Sequence, residues 1–498
     1  MKKLLLNIFL AGFIISATTS CNNLLDIKET DFLGGELALR TVKNNESLLM
    51  GAYAALGSQS DITGDGAAEM GLLAAGVFSD ELKPGDFYVS QTTHEWQFSP
   101  DDVGIRDSYT AIDNFYRVID RVNRVLTALP NASAETASDK DLRTKVKGEA
   151  LFLRAYAHFE LFRYYCKNYD PAGLGMMYMT EPSLKARPRD LMGPYFENIL
   201  KDIADAKPLM AQDVADVYRA NLLSAVGLNA RVALYMRNWT EAEKSATEYI
   251  NALPLASKTE FAEIWTDVSK KELAFKLART VTAGRVGGIY RGVFAKNAAG
   301  DLVAPANILW VPSDKLWNMF DQMNDIRFKE YLIDESILAA VTGKPSKIVN
   351  KYRGTGYATT NESVNDIKVF RTAEMYLIRA EARAEQGQFT GTNSGESDLN
   401  TLREARINGY TNQTFTSKEA LIQSIMDERF KELAFEGHRF WDLKRRGLPI
   451  QRLPSDAPTP ASATLPANDY HFVLPIPNAE ISGNTLIQQN EGYATQIK

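Results

Sequence analysis

The sequence predicts a mainly α protein: tetratricopeptide-like helical hairpins forming a scaffold, with long loop-rich insertions set into it. Three observations carry this. Small and large apolar residues recur at helical spacing in several places, as with Ala155 and Phe159, or Ala246 and Ile250. Turn and capping residues fall where a hairpin needs them. Two stretches, residues 57–108 and 253–365, lack helical periodicity and are rich in Gly, Asp, Ser and aromatics.

At the N-terminus, Lys2 and Lys3 precede an apolar run over residues 4–17, broken only by Asn7, Gly12 and Ser16. Thr18, Thr19 and Ser20 follow, then Cys21. Residues 1–20 therefore read as a cleaved signal segment. Cys21 after small residues is similar to a lipobox, with Thr18 where that pattern prefers Leu. Acyl chains on the Cys21 sulfur and amino group would meet the two-chain requirement for stable anchoring. No second apolar run reaches the roughly 18 residues of a membrane span. Cys166 would then have no disulfide partner, which a core of this size tolerates.

The first hairpin is expected around an apolar stripe of Leu151, Ala155, Phe159, Phe162 and Cys166. In the second, residues 221–235 form a helix, Asn238 and Trp239 turn, and Thr240 with Glu243 caps the next helix. A third helix covers residues 371–382, turns at Gly387 and resumes near Asp398. The fourth starts at Thr416, capped with Glu419. Such hairpins bury their faces only by stacking on neighbours. The expected division is residues 21–250, a loop-rich binding insertion over 251–365, and residues 366–498.

Residues 428–447 read as the close of an amphipathic helix. Phe430, Leu433, Ala434 and Leu443 give its apolar side, while Glu436 with Arg439 and Asp442 with Arg446 are placed for ion pairs. Lys444, Arg445 and Arg446 suit the last turn, and Gly447 suits a left-handed cap. As a pattern, E-R-x-x-E-L-x-x-E-G-x-R-x-x-D-L-x-R-x-G, this stretch resembles the C-terminal signature of the SusD/RagB family of nutrient-binding outer-membrane lipoproteins. Leu474-Pro475-Ile476-Pro477, Glu480, Asn484, Gln489-Asn490 and Gly492-Tyr493 resemble that family's closing motif. The run from Arg371 to Ala382 and the pair Leu25-Asp26 are similar to family strings as well.

The resemblance implies a SusD-like α/α fold and a non-catalytic role. The protein would sit lipid-anchored on the outer membrane, facing the cell exterior. It would bind an oligomeric nutrient, glycan ahead of peptide, and deliver it to a TonB-dependent, SusC-like transporter. In glycan-binding relatives the contacting aromatics come from non-repeat loops. Trp96 is the leading candidate here, in a polar loop after Tyr88, because an exposed indole can stack on a sugar ring. Tyr290, between Arg285 and Arg291 among glycines, and Trp310 are further candidates. Asp80, in a D-E-L string, could hydrogen-bond a ligand. Trp239, Trp317 and Trp441 read as packing residues.

A net charge of -6 without a clustered basic face argues against nucleic acid. The four histidines, at 94, 158, 438 and 471, have no partners at metal spacing, and no cofactor fingerprint is present. Asp61, Thr63, Asp65 and Gly66 echo a calcium loop, but Leu72 stands where its bidentate Glu belongs. Two other functions fit the composition. An exported glycan hydrolase would need an acid/base pair in one cleft. A helical-repeat scaffold without a small ligand would need an apolar groove.

Overall fold

The computed structural model describes residues 38–57, 75–87, 91–102, 112–282 and 284–493. The expected signal segment, Cys21, residues 61–66 and Tyr88 lie outside the described residues.

Helix α1 (Val42–Gly57), α2 (Ala75–Phe78), β1 (Leu82–Pro84) and α3 (Gln91–His94) precede α4 (Ile112–Ala128), which packs along α1. Helix α5 (Ala137–Tyr165) runs 29 residues, roughly 44 Å at 1.5 Å per residue. Thr136 and Asp139 close a capping box at its start, a feature that contributes about 1 kcal/mol. From Gly148 onward every residue of α5 is buried, so the expected single stripe is a helix covered on all sides. Its neighbours α1, α4 and α6 (Met192–Ala206) account for that cover.

The second hairpin is α7 (Leu222–Met236) with α8 (Trp239–Ala252). Arg237 turns the chain at φ 57°, and the Asn238 side chain accepts from the Glu241 amide. The cap is therefore Asn238, ahead of the expected Thr240, and Trp239 begins the helix. Helix α8 then packs on α14 (Thr372–Glu385), which in turn carries α15 (Gly395–Glu404) and α16 (Lys418–Glu432). Gly387, at φ +84°, makes the expected turn. Ser417 caps α16 by accepting from the Ala420 amide, where Thr416 was expected.

Between α8 and α14 the chain forms short elements in place of plain loop. These are α9 (Lys258–Ile264), β2 (Leu273–Leu277), α10 (Gly288–Arg291), β3 (Ala295–Lys296), β4 (Leu302–Val303) and β5 (Trp310–Pro312). Next come α11 (Asp314–Asn318), α12 (Ile326–Tyr331), β6 (Leu332–Asp334), α13 (Ser336–Ala339), β7 (Lys347–Val349) and β8 (Ile367–Arg371). The strands pair antiparallel, β1 with β5, β2 with β8, β3 with β4 and β6 with β7.

The signature segment is two helices, not one. Helix α16 ends at Glu432; the backbone reverses through Phe435 (φ 63°) and Gly437 (φ 76°) before α17 (Arg439–Arg446). Gly447 closes α17 at φ 63°, ψ 40°, as its sequence position predicts.

Candidate functional site

The break between α16 and α17 releases Glu436 from the helix surface, and that reassigns every expected pair. Glu436 accepts from Arg371 at 2.7 and 2.8 Å and from Lys351 at 2.7 Å. Arg439 instead grips Asp80 with two bonds of 2.8 and 2.9 Å. Asp442 pairs with Arg429 and Arg445, and Arg446 with Glu381 and Glu385. Arg371, Arg406 and Arg327 converge on Glu432, with Glu272 and Glu428 beside it. These groups are buried, so each charge depends on its partners. Burial opposes ionisation of Asp80, but Arg439 and Lys315 outweigh it and bring the carboxyl down to about 2. Burial pushes neighbouring Glu81 up to about 8, against the Phe435 amide and Lys351, which favour its anion.

The sequence candidates converge on this knot. Trp96 is 5% exposed; its Nε1 donates to the Phe78 carbonyl at 2.8 Å, and the Arg452 guanidinium lies 4.1 Å above its ring. Trp310, 3% exposed, sits in β5 opposite Pro84, with His94 packed 5.2 Å away. Tyr290, 1% exposed, stacks on Tyr352 and packs against Phe435. Asp80 is consumed by Arg439 and Lys315. The structure thus departs from the exposed platform expected of Trp96, Tyr290 and Trp310. Around Trp96 the backbone carbonyls are met by side chains, as Phe78 is by the indole and by Arg452, so the segment is buried without helical periodicity and aperiodicity does not mark exposure.

Above the knot lies an exposed face built where β1 meets the insertion. Asp86 accepts from the Ile308 amide at 2.7 Å and is ion-paired with Lys344, which also donates to the Ala306 carbonyl. Gly85 is required there: a Cβ would stand 2.0 Å from the Ile308 oxygen. The next residue along, Phe87, is 40% exposed. Val293, Val303 and Val341 are exposed on the same insertion. The insertion also holds an apolar cluster of Phe294, Ile308, Val311, Leu338 and Ile348, with Tyr357 packed against it. Arg291 lies 4.8 Å from the Tyr357 ring, and the Tyr357 hydroxyl donates to Glu335. Phe87 is not among the candidates that the sequence offers; its place directly after a strand and a Gly-Asp turn was the available signal.

Such a face can stack a ring on Phe87, with Asp86 and Lys344 fixing the turn beside it. Its carboxylates already have partners: Asp86 with Lys344, Glu335 with Tyr357 and the Ile337 amide, and Glu362 with the Phe294 and Ala358 amides.

Comparison with known proteins adds an independent line. Residues 341–493 match the model of the SusD family, and residues 52–234 match a family described as "Starch-binding associating with outer membrane". The SusD-like protein P38 of Formosa agariphila is 24% identical over 386 residues, covering 69% of this chain and 73% of its own. The starch-binding protein SusD of Bacteroides thetaiotaomicron is 34% identical over 145 residues, 28% of this chain and 24% of its own. A SusD superfamily protein from Bacteroides thetaiotaomicron superposes with TM-score 0.74 at 25% identity, over 90% of this chain and 99% of that one. The fold is shared too by a surface glycan-binding protein A from Bacteroides thetaiotaomicron, solved with laminarihexaose, at TM-score 0.71 and 17% identity over 90% of this chain and 99% of that one.

Proposed function

The chain belongs to the SusD/RagB family, and from that premise we propose that it captures an oligosaccharide at the outer membrane and passes it to a partner TonB-dependent transporter. The observation that carries the glycan reading is the match of residues 52–234 to a starch-binding, outer-membrane-associating family. The anchor is Cys21, acylated after removal of residues 1–20, and the protein faces the cell exterior. Residues 251–365 carry the ligand-binding insertion, and Phe87 supplies its stacking ring. The captured chain leaves unchanged, because delivery needs weak, reversible contact and no bond breakage.

The test is calorimetric titration of the soluble protein, residues 22–498, with maltohexaose, laminarihexaose and an oligopeptide of similar length. Saturable heat with a hexasaccharide, and intact sugar recovered afterwards, is the expected result. Binding of the peptide alone would move the substrate class, and shortened sugar products would replace capture by hydrolysis.

A further inference from the structure

A second exposed aromatic stands apart from Phe87. Tyr218, between α6 and α7, is 41% exposed, yet it is held from three sides. Its amide donates to Asp216 at 3.0 Å, its hydroxyl donates to Asp366 at 3.0 Å, and the Lys276 ammonium lies 4.8 Å from its ring centre. Lys276 is buried on β2, whose amide also bonds the Val217 carbonyl, so it covers the ring from the protein side. The outer ring face is left to solvent. The same Asp366 carboxylate accepts from the Arg279 amide at 2.9 Å, which brings the exposed Thr280 and Val281 beside the tyrosine.

We infer that Tyr218 is a second stacking subsite for carbohydrate, taking another ring of the oligosaccharide held at Phe87; this rests on the glycan reading proposed above. A locked ring loses little freedom on binding, and the apolar face of a pyranose matches it while Thr280 meets the hydroxyl rim. The two faces share one short connection. Glu362 accepts from the Phe294 and Ala358 amides beneath the first face, and Asp366 holds Tyr218 in the second. Three residues lie between Glu362 and Asp366, so these two anchors are joined by at most roughly 14 Å of extended chain. One oligosaccharide spanning both faces gains by linkage what neither subsite gives alone.

The experiment titrates the wild type, Tyr218→Ala, Tyr218→Phe and Phe87→Ala with maltotriose, maltohexaose and laminarihexaose, with melting curves for each. Tyr218→Ala is expected to weaken the bound hexasaccharide at least tenfold and the triose less than threefold. Tyr218→Phe keeps the ring and is expected within threefold of wild type throughout. Protection of Tyr218 from nitration by the hexasaccharide, read on the wild type by mass spectrometry, makes the test independent of how the variants fold. Unchanged hexasaccharide affinity in a folded Tyr218→Ala, or nitration indifferent to sugar, overturns the subsite. Loss in Phe87→Ala with none in Tyr218→Ala sinks the subsite and leaves the first reading standing. The reverse pattern supports the subsite and removes Phe87 from the site. Binding of neither hexasaccharide by the wild type sinks both.

Discussion

Residues 428–447 turn most of their charges inward, whereas residues 292–344 turn valines outward. In the first, Glu432 meets three guanidiniums and Arg439 closes on Asp80, all out of water. In the second, Val293, Val303 and Val341 are exposed to solvent. The buried ions fix a single arrangement of α16, α17 and the 75–87 segment, because any other leaves charges unpaired. The exposed apolar groups keep about two-fifths of their surface in water, where a ligand could cover it. What reads as surface chemistry in the sequence is therefore the frame, and what reads as filler is the contact face proposed above.

The contrast breaks most readily at its ionic end. Arg371→Ala takes one cationic partner from each of Glu272, Glu432 and Glu436 and leaves the buried cluster with an excess negative charge shared among Arg406, Arg327 and Lys351, which is expected to cost on the order of 3–5 kcal/mol in denaturant unfolding. A loss below about 1 kcal/mol would mean the knot is wet. Trp96→Ala should cost about 3–5 kcal/mol as a large-to-small core change, with sugar affinity kept in the folded fraction. Loss of affinity without loss of stability would return Trp96 to the site.

Glu81 gives the knot a pH signature. Its folded pKa of about 8 lies above the unfolded value of 4.5, so the neutral acid is the form that folding favours. That contribution is whole below pH 4.5 and is lost as pH rises through 8. Set against the rise below about pH 6.5 that the buried neutral His94, His158 and His438 give, the Glu81 contribution should fall between pH 5 and 8, and Glu81→Gln should remove that fall. Equal slopes in both proteins would clear Glu81 of the effect.

At the edge of the frame the expected effects shrink. A Cβ at Gly447 meets nothing within 4 Å, so Gly447→Val carries only the left-handed backbone cost, about 1–2 kcal/mol. An unshifted melting temperature would contradict that cap. Phe87→Ala should change stability by less than about 1 kcal/mol while weakening hexasaccharide binding about tenfold, or about 1.4 kcal/mol. A large stability loss there would make Phe87 part of the frame, and the contrast between the two regions would fail.

The helical hairpins were legible because 3.6-residue periodicity survives burial: α7, α14 and α16 begin within a residue or two of their predicted positions. The cap at Gly447 was legible because glycine at a helix end has one dominant use. The reversal at Phe435 was not, since a non-glycine residue at φ 63° leaves no mark in composition. Glu436–Arg439 also carries the spacing of a surface pair, and spacing says nothing of the elements that arrive from elsewhere in the chain. The burial of Trp96 escapes the sequence for the same reason: its partners are the carbonyl of Phe78 and the guanidinium of Arg452, 356 positions downstream.

The pairing of β1 with β5 has a consequence for transplantation. Phe87 is held to the insertion by backbone bonds from Gly85 to Leu309 and by Asp86 to Ile308, across more than two hundred intervening residues. A chimera that grafts residues 251–365 alone onto a related scaffold would import the valines and leave the aromatic behind. If Phe87 contacts ligand as proposed, donor specificity should travel only when residues 82–87 are exchanged together with the insertion, as a pair of distant segments and not a contiguous cassette.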